Sequence, residues 1–103
     1  HAKKLCGGVM LHVDDPEAFL PFRTGVACIL WACRLGGEAF AWRTETYEYR
    51  DDVPAIDLLY GSPRLRELAA AGATLEEIAA EWEEPLARFS AIRARHLLYE
   101  EAP

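Results

Sequence analysis

The stretch from Pro21 to Leu35, PFRTGVACILWACRL, restricts the fold more than any other. Phe22, Val26, Ile29, Leu30 and Cys33 recur at spacings of three and four, which is the inner stripe of a helix. Ala27, Trp31 and Ala32 extend that stripe over nearly the whole circumference, so this helix needs cover on more than one side. Gly36-Gly37 marks its end, because glycine readily takes the conformation that stops a helix. A chain of 103 residues supports one domain with one core. At 51% hydrophobic and 27% charged residues it is a folding chain rather than a disordered one. The apolar run from Gly25 to Cys33 is far too short to cross a bilayer.

The remaining segments are read in the same way. GGVMLHV, residues 7 to 13, places Val9, Leu11 and Val13 on one face and Met10 and His12 on the other, which predicts a strand with both faces covered. DDPEAF offers Asp15 as an N-cap and Pro16 at a first helical position. FAWRTETYEYR, residues 40 to 50, sets Tyr47 and Tyr49 against Thr46, Glu48 and Arg50 and predicts a second strand. PAIDLLYGSP is a short apolar segment closed by a turn. A helix from Pro63 to Ala71 ends at Gly72, and Thr74 with Glu77 spells a capping box for the next. Leu75, Ile78, Trp82, Leu86, Phe89, Ile92 and His96 keep helical spacing straight through Pro85, predicting one long helix kinked there. HLLY, residues 96 to 99, is a candidate last strand. The expectation is an α+β fold: one domain over residues 1–103, with a small β-sheet flanked by helices and a long kinked C-terminal helix.

ELAAAGATLEEIAAEW, residues 67 to 82, has the outline of a helix-turn-helix. Its second helix would face DNA, yet it carries Glu76, Glu77, Glu81, Glu83 and Glu84 before its first basic residue, Arg88. Those carboxylates repel phosphates, and the whole chain has a net charge of −6. The stretch reads as a capped helical corner, with no nucleic-acid partner. Cys6, Cys28 and Cys33 form no zinc spacing. They read as buried free thiols, with one disulfide through Cys6 as the alternative.

Candidates for chemistry are few. His12 lies on the strand face opposite Val9, Leu11 and Val13 and is suited to a polar substrate or a proton transfer. Asp57, inside AIDLL, is a carboxylate in apolar surroundings and needs a partner. Arg23 is a candidate for that partner, or for holding an anionic ligand near a positive helix end. Glu48, Asp51 and Asp52 beside Tyr47 and Tyr49 are compatible with sugar binding, though a solvated strand end has the same composition. No P-loop, GxGxxG, GxSxG or HExxH is present, and no cofactor or metal is expected. His12, Arg23 and Asp57 are therefore the expected substrate-binding residues.

Four strings, LCGGVMLHVDD, PFRTG, AIDLLYGS and LEEIAAEWEEPLARFSAIRARHLLY, together resemble the C-terminal domain of the bacterial exo-β-N-acetylmuramidases. These are peptidoglycan-recycling glycosidases, and the likeness runs from Leu5 to Tyr99. Cys6, Gly7, Gly8, His12, Arg23, Thr24, Gly25, Asp57, Gly61 and Ser62 lie in the matching strings; Pro85 departs from the uninterrupted helix expected there. The resemblance implies a two-domain enzyme in which an N-terminal Rossmann-like domain carries the catalytic acid. The C-terminal domain then packs on it as an auxiliary unit and helps wall the substrate cleft. The substrate implied is a terminal N-acetylmuramic acid on a peptidoglycan fragment, in the cell envelope, outside the cell or in the cytoplasm. The absence of an initiator Met before His1 agrees with a piece of a longer protein, inert by itself. Two rivals of other kinds are a protein-interaction module and, less favoured, the helix-turn-helix DNA binder.

Overall fold

Pro21 opens the first helix because its fixed φ suits a first helical position and its missing N–H is not needed there. In the computed structural model, which describes residues 2–99, helix α1 runs Pro21–Gly36. It stops because Gly37 has a φ of +48°, while a Cβ on Gly36 would lie 2.8 Å from Phe40 Cβ. The turn Gly37–Ala39 leads into an irregular stretch, followed by α2 (Ala55–Tyr60) and α3 (Arg64–Ala70). Gly72, at φ +79°, turns the chain into α4, Leu75–Arg93. The capping box forms as the spacing predicts. Thr74 Oγ1 accepts from the Glu77 amide at 3.2 Å, and the Thr74 amide donates to Glu77 Oε2 at 2.7 Å.

The core lies where three of these helices meet. Val26 and Leu30 of α1, Leu65 of α3 and Ile78 of α4 are buried against one another. Around them Trp82 Nε1 donates to Tyr60 Oη at 2.8 Å, and Phe22 packs edge-on to Trp82 at 5.0 Å between centroids. Arg34 Nη2 donates to the Ala73 carbonyl at 2.9 Å, tying the end of α1 to the α3–α4 corner. The corner's carboxylates are used inside the fold: Glu76 pairs with Arg23, Glu77 caps its own helix and Glu81 pairs with Arg64.

Among the described residues the expected small β-sheet does not form, and the α+β assignment is corrected to a nearly all-helical one. About half the described residues are helical (52%) and 2% are in strand pairing, an isolated bridge between Tyr47 and Arg50. The alternation of residues 7–13 is a real β pattern, but a strand takes its hydrogen bonds from another strand. Among the described residues nothing pairs with this one. The stretch around Tyr47 closes at once into a two-residue turn, with both 2.9 Å bonds between Tyr47 and Arg50. The HLLY segment forms no strand either, and α4 ends before it. Asp15 does accept from the amides of Glu17 and Ala18, at 3.1 and 3.2 Å, but the helix it caps is a single turn.

Helix α4 is continuous through Pro85, as the unbroken spacing predicts. Pro85 removes one backbone donor, and the helix persists because the first half is anchored by Ile78, Ala79 and Trp82. From Glu83 to Tyr99 every residue is exposed, including Leu86, Phe89 and Ile92. Cys6 is likewise exposed and free, while Cys28 and Cys33 are half-buried free thiols, which corrects the expectation of three buried ones. Burial pushes the Cys33 thiol up.

Two outcomes follow for stability. The Arg64 hydrogen bond holds the Glu81 carboxyl below its ordinary value, and the Thr74 backbone and hydroxyl do the same for Glu77. A carboxyl depressed on folding contributes stability above its unfolded pKa, and loses it as pH falls through the folded value. The melting temperature is therefore expected to fall as pH drops below about 4.5, with a shallower acid limb in Glu81→Gln. Glu48 and Tyr49 occupy left-handed conformations, φ 48° and 64°, that favour Asn and Gly. Replacing the pair with Asn-Gly should raise stability by about 1 kcal/mol, read as a higher thermal midpoint.

Candidate functional site

Asp57 enters the fold through α2. Val53 and Pro54 lead into this helix, whose amide at Asp57 bonds the Pro54 carbonyl at 2.9 Å, turning the carboxylate inward to 6% exposure. A carboxylate so placed must be compensated. The partner is Arg66 of α3, whose Nε and Nη2 donate to the two carboxylate oxygens at 3.1 and 2.7 Å. This fork is the strongest geometry available to the two groups, and it pushes the Arg66 guanidinium up. Arg23, the expected partner, is instead paired with Glu76 at 3.4 Å.

The fork forms one wall of an open depression of about 530 Å³, shared with Asp52, Pro54, Ser62 and Pro63. Arg50 donates to both oxygens of Asp52, at 2.6 and 2.7 Å, holding that carboxyl below its usual range. Asp57 has both oxygens occupied by Arg66. Arg66 has five N–H donors, of which the fork uses two, and it lines the depression. The arrangement can hold a carboxylate, a carbonyl or sugar hydroxyls. Both of its carboxylates accept hydrogen bonds from an arginine, Asp57 from Arg66 and Asp52 from Arg50.

Arg23 lines a separate apolar groove of about 450 Å³ between the start of α1 and the middle of α4, with Leu20, Phe22, Trp82 and Leu86. His12 lies in the exposed segment before α1, with no hydrogen bond or ion pair among the described residues. The three expected site residues are thus distributed over three places, with neither His12 nor Arg23 bonded to Asp57. Glu48, Asp51 and Asp52 do not act as one cluster, because Asp52 is taken up by Arg50 and Tyr49 is fully exposed. Sequence reasoning missed Arg66. The signal was an arginine nine residues after a carboxylate, on the far side of the Gly61-Ser62-Pro63 turn, and that spacing has meaning only once both short helices are in place. No group of His, Cys, Asp and Glu able to hold a metal is found among the described residues. Nor is any helix there long and apolar enough to cross a membrane.

Removing one member of a buried ion pair strands the other, whereas an exposed pair contributes little. Asp57→Ala is therefore expected to lower the melting temperature well beyond the effect of Asp52→Ala. Equal, small shifts in the two variants would show that the fork carries no structural weight.

The family described as exo-beta-N-acetylmuramidase NamZ, C-terminal, matches residues 1–99. The peptidoglycan beta-N-acetylmuramidase NamZ of Bacillus subtilis (strain 168) is 29% identical over 99 residues. That match covers 96% of this chain and 22% of the relative, so the chain spans about a fifth of the length of the curated protein it matches. No solved structure matches. With a family match running from one end of the helical core to the other and beyond it on both sides, the chain belongs to the C-terminal domain family of the exo-β-N-acetylmuramidases.

Proposed function

We propose that this domain is the auxiliary, cleft-forming part of a glycoside hydrolase that releases terminal N-acetylmuramic acid from peptidoglycan fragments. The catalytic acid belongs to an N-terminal Rossmann-like domain of the same protein. The observation that carries the reading is the family match over residues 1–99. The site geometry supports it. Glycoside hydrolysis generally uses a carboxylic acid together with a second group across the scissile bond, and the carboxylates of the Asp57 depression are locked by arginines instead. In this reading they bind and orient.

Within this reading His12, Arg23 and Asp57 serve the substrate in different ways. Asp57 is a positioning residue that aims Arg66, whose spare donors suit the lactyl carboxylate that distinguishes N-acetylmuramic acid from N-acetylglucosamine. Arg23 sits at the rim of an aromatic groove, and His12 offers a polar tip on the segment leading into α1. The exposed apolar surface also fits a plain interaction module. A soluble, tight dimer of the lone domain in light scattering would favour that second reading.

The test compares the complete protein with this 103-residue chain on a chromogenic N-acetylmuramic acid glycoside, with hydrolysis expected from the complete protein alone. In the complete protein, Arg66→Ala is expected to raise KM about tenfold, the loss of one charge-assisted hydrogen bond. Its effect on an analogue lacking the lactyl group should be small. His12→Ala and Arg23→Ala should each lower kcat/KM. Unchanged kinetics at unchanged melting temperature would remove that residue from the cleft.

A further inference from the structure

Residues 5–13 run without a helix, turn, bend or bridge, and every residue from Ala2 to Ala18 is exposed. The exposed side chains are not those of a solvated tail. Leu5 is fully exposed, and Val9, Met10, Leu11 and Val13 range from 82% down to 46%. By strand spacing Leu5, Val9, Leu11 and Val13 share one apolar face and Met10 lies on the other with His12, in β-branched and long aliphatic types that fit a pleated surface. No backbone group of this stretch is hydrogen-bonded to another backbone group among the described residues. The segment is nonetheless fixed at one end, where Asp15 caps its turn and Pro21 begins α1. The segment has the side-chain pattern of a strand and, among the described residues, no sheet to join.

Gly7 and Gly8 add an independent observation. Neither has a positive φ, and a Cβ on either would meet nothing within 4 Å. Nothing within this chain calls for glycine there. The close approach of another backbone would call for it.

Surface area indicates how large that other body is. A folded monomer of this mass exposes roughly 5,800 Å², against 8894 Å² here. The radius of gyration is 17.1 Å, where about 13 Å is usual for this length. The excess, near 3,000 Å² by the same scaling, is several times the roughly 800 Å² that each partner gives to a standard interface. A second copy pairing strand to strand would leave most of it in water. The matched relative has about four-fifths of its length outside the matched region, within the same chain and so at a high effective concentration.

We infer that residues 7–13 complete a β-sheet by adding as a strand to an exposed sheet edge in the preceding part of the same protein. Gly7 and Gly8 mark the point of closest backbone approach, and Val9, Leu11 and Val13 enter the apolar layer beneath that sheet. The inference rests on the reading that the domain works within a larger muramidase-type enzyme. It goes beyond that reading by naming the segment that joins the two parts and the kind of bond that does it.

The test is hydrogen exchange on the complete protein, followed by mass spectrometry of peptides covering residues 5–15, with muramyl-glycoside hydrolysis measured on the same sample. Amides in 7–13 are expected to exchange at least 100-fold more slowly than in the isolated 103-residue chain. Gly8→Val should abolish that protection and lower the melting temperature of the complete protein, while leaving that of the isolated chain unchanged because its Cβ meets nothing there. Free exchange at 7–13 in a complete protein that still hydrolyses the glycoside overturns the inference and spares the proposed function. Protection in a complete protein inactive on the glycoside supports the inference and removes the function. Protection in the isolated chain that rises with concentration, alongside dimer formation, overturns it in favour of pairing between copies.

Discussion

The contact between Leu65 and Ile78, 1% and 0% exposed, is the point on which the rest of the fold depends. Leu65 comes from a seven-residue helix and Ile78 from the first turn of a nineteen-residue one, with the Gly72 corner between them. Neither α2 nor α3 is long enough to be stable alone in water. Each persists because its apolar side chain is seated against α1 and α4, and because α2 and α3 are cross-linked by the Asp57–Arg66 fork. Burial of a Leu or Ile side chain contributes about 1.5–3 kcal/mol, so a core this small leaves little margin for any further strained element. The left-handed Glu48-Tyr49 turn accordingly lies outside it, at the surface.

That small core also explains the division of the domain into a held part and a waiting part. Val26 and Leu30 face the interior, while Trp31 and Leu35 on the same helix remain exposed. Along α4 the boundary falls at Trp82, beyond which Leu86, Phe89 and Ile92 keep helical spacing with nothing upon them. The segment before α1 repeats the theme with strand spacing. Apolar periodicity is present in all three places, and it is satisfied only where another element of this chain lies opposite. Arg66 is tied to the finished core through its fork with Asp57, whereas His12 lies in the exposed segment before α1.

Much of this was legible in the sequence, for identifiable reasons. The bounds of α1 follow from Pro21 and Gly36-Gly37, and the α3–α4 corner from Gly72 and the Thr74–Glu77 pair. These are local rules, with cause and effect within four residues. Continuity through Pro85 was legible too, because the phase of Leu75, Ile78, Trp82 and Leu86 cannot survive a true break. Sheet formation was not legible. The alternation in residues 7–13 and 40–50 reports a tendency whose fulfilment depends on a second strand, and none of the described residues supplies it. Asp57 was recognised as a carboxylate in need of a partner. Its choice of Arg66 over Arg23 was beyond reach, because the distance between groups on different helices depends on how α1, α2 and α3 pack.

Taken alone, the sequence determined the helices and their ends, the acidic character of the α3–α4 corner, and the family to which the chain belongs. Each is set by neighbouring residues or by the order of whole strings. Only the tertiary structure decided which apolar faces are covered, which arginine answers Asp57, and that the strand-like segment stands without a partner. Those outcomes belong to packing, in which a side chain's fate is settled by an element dozens of residues away.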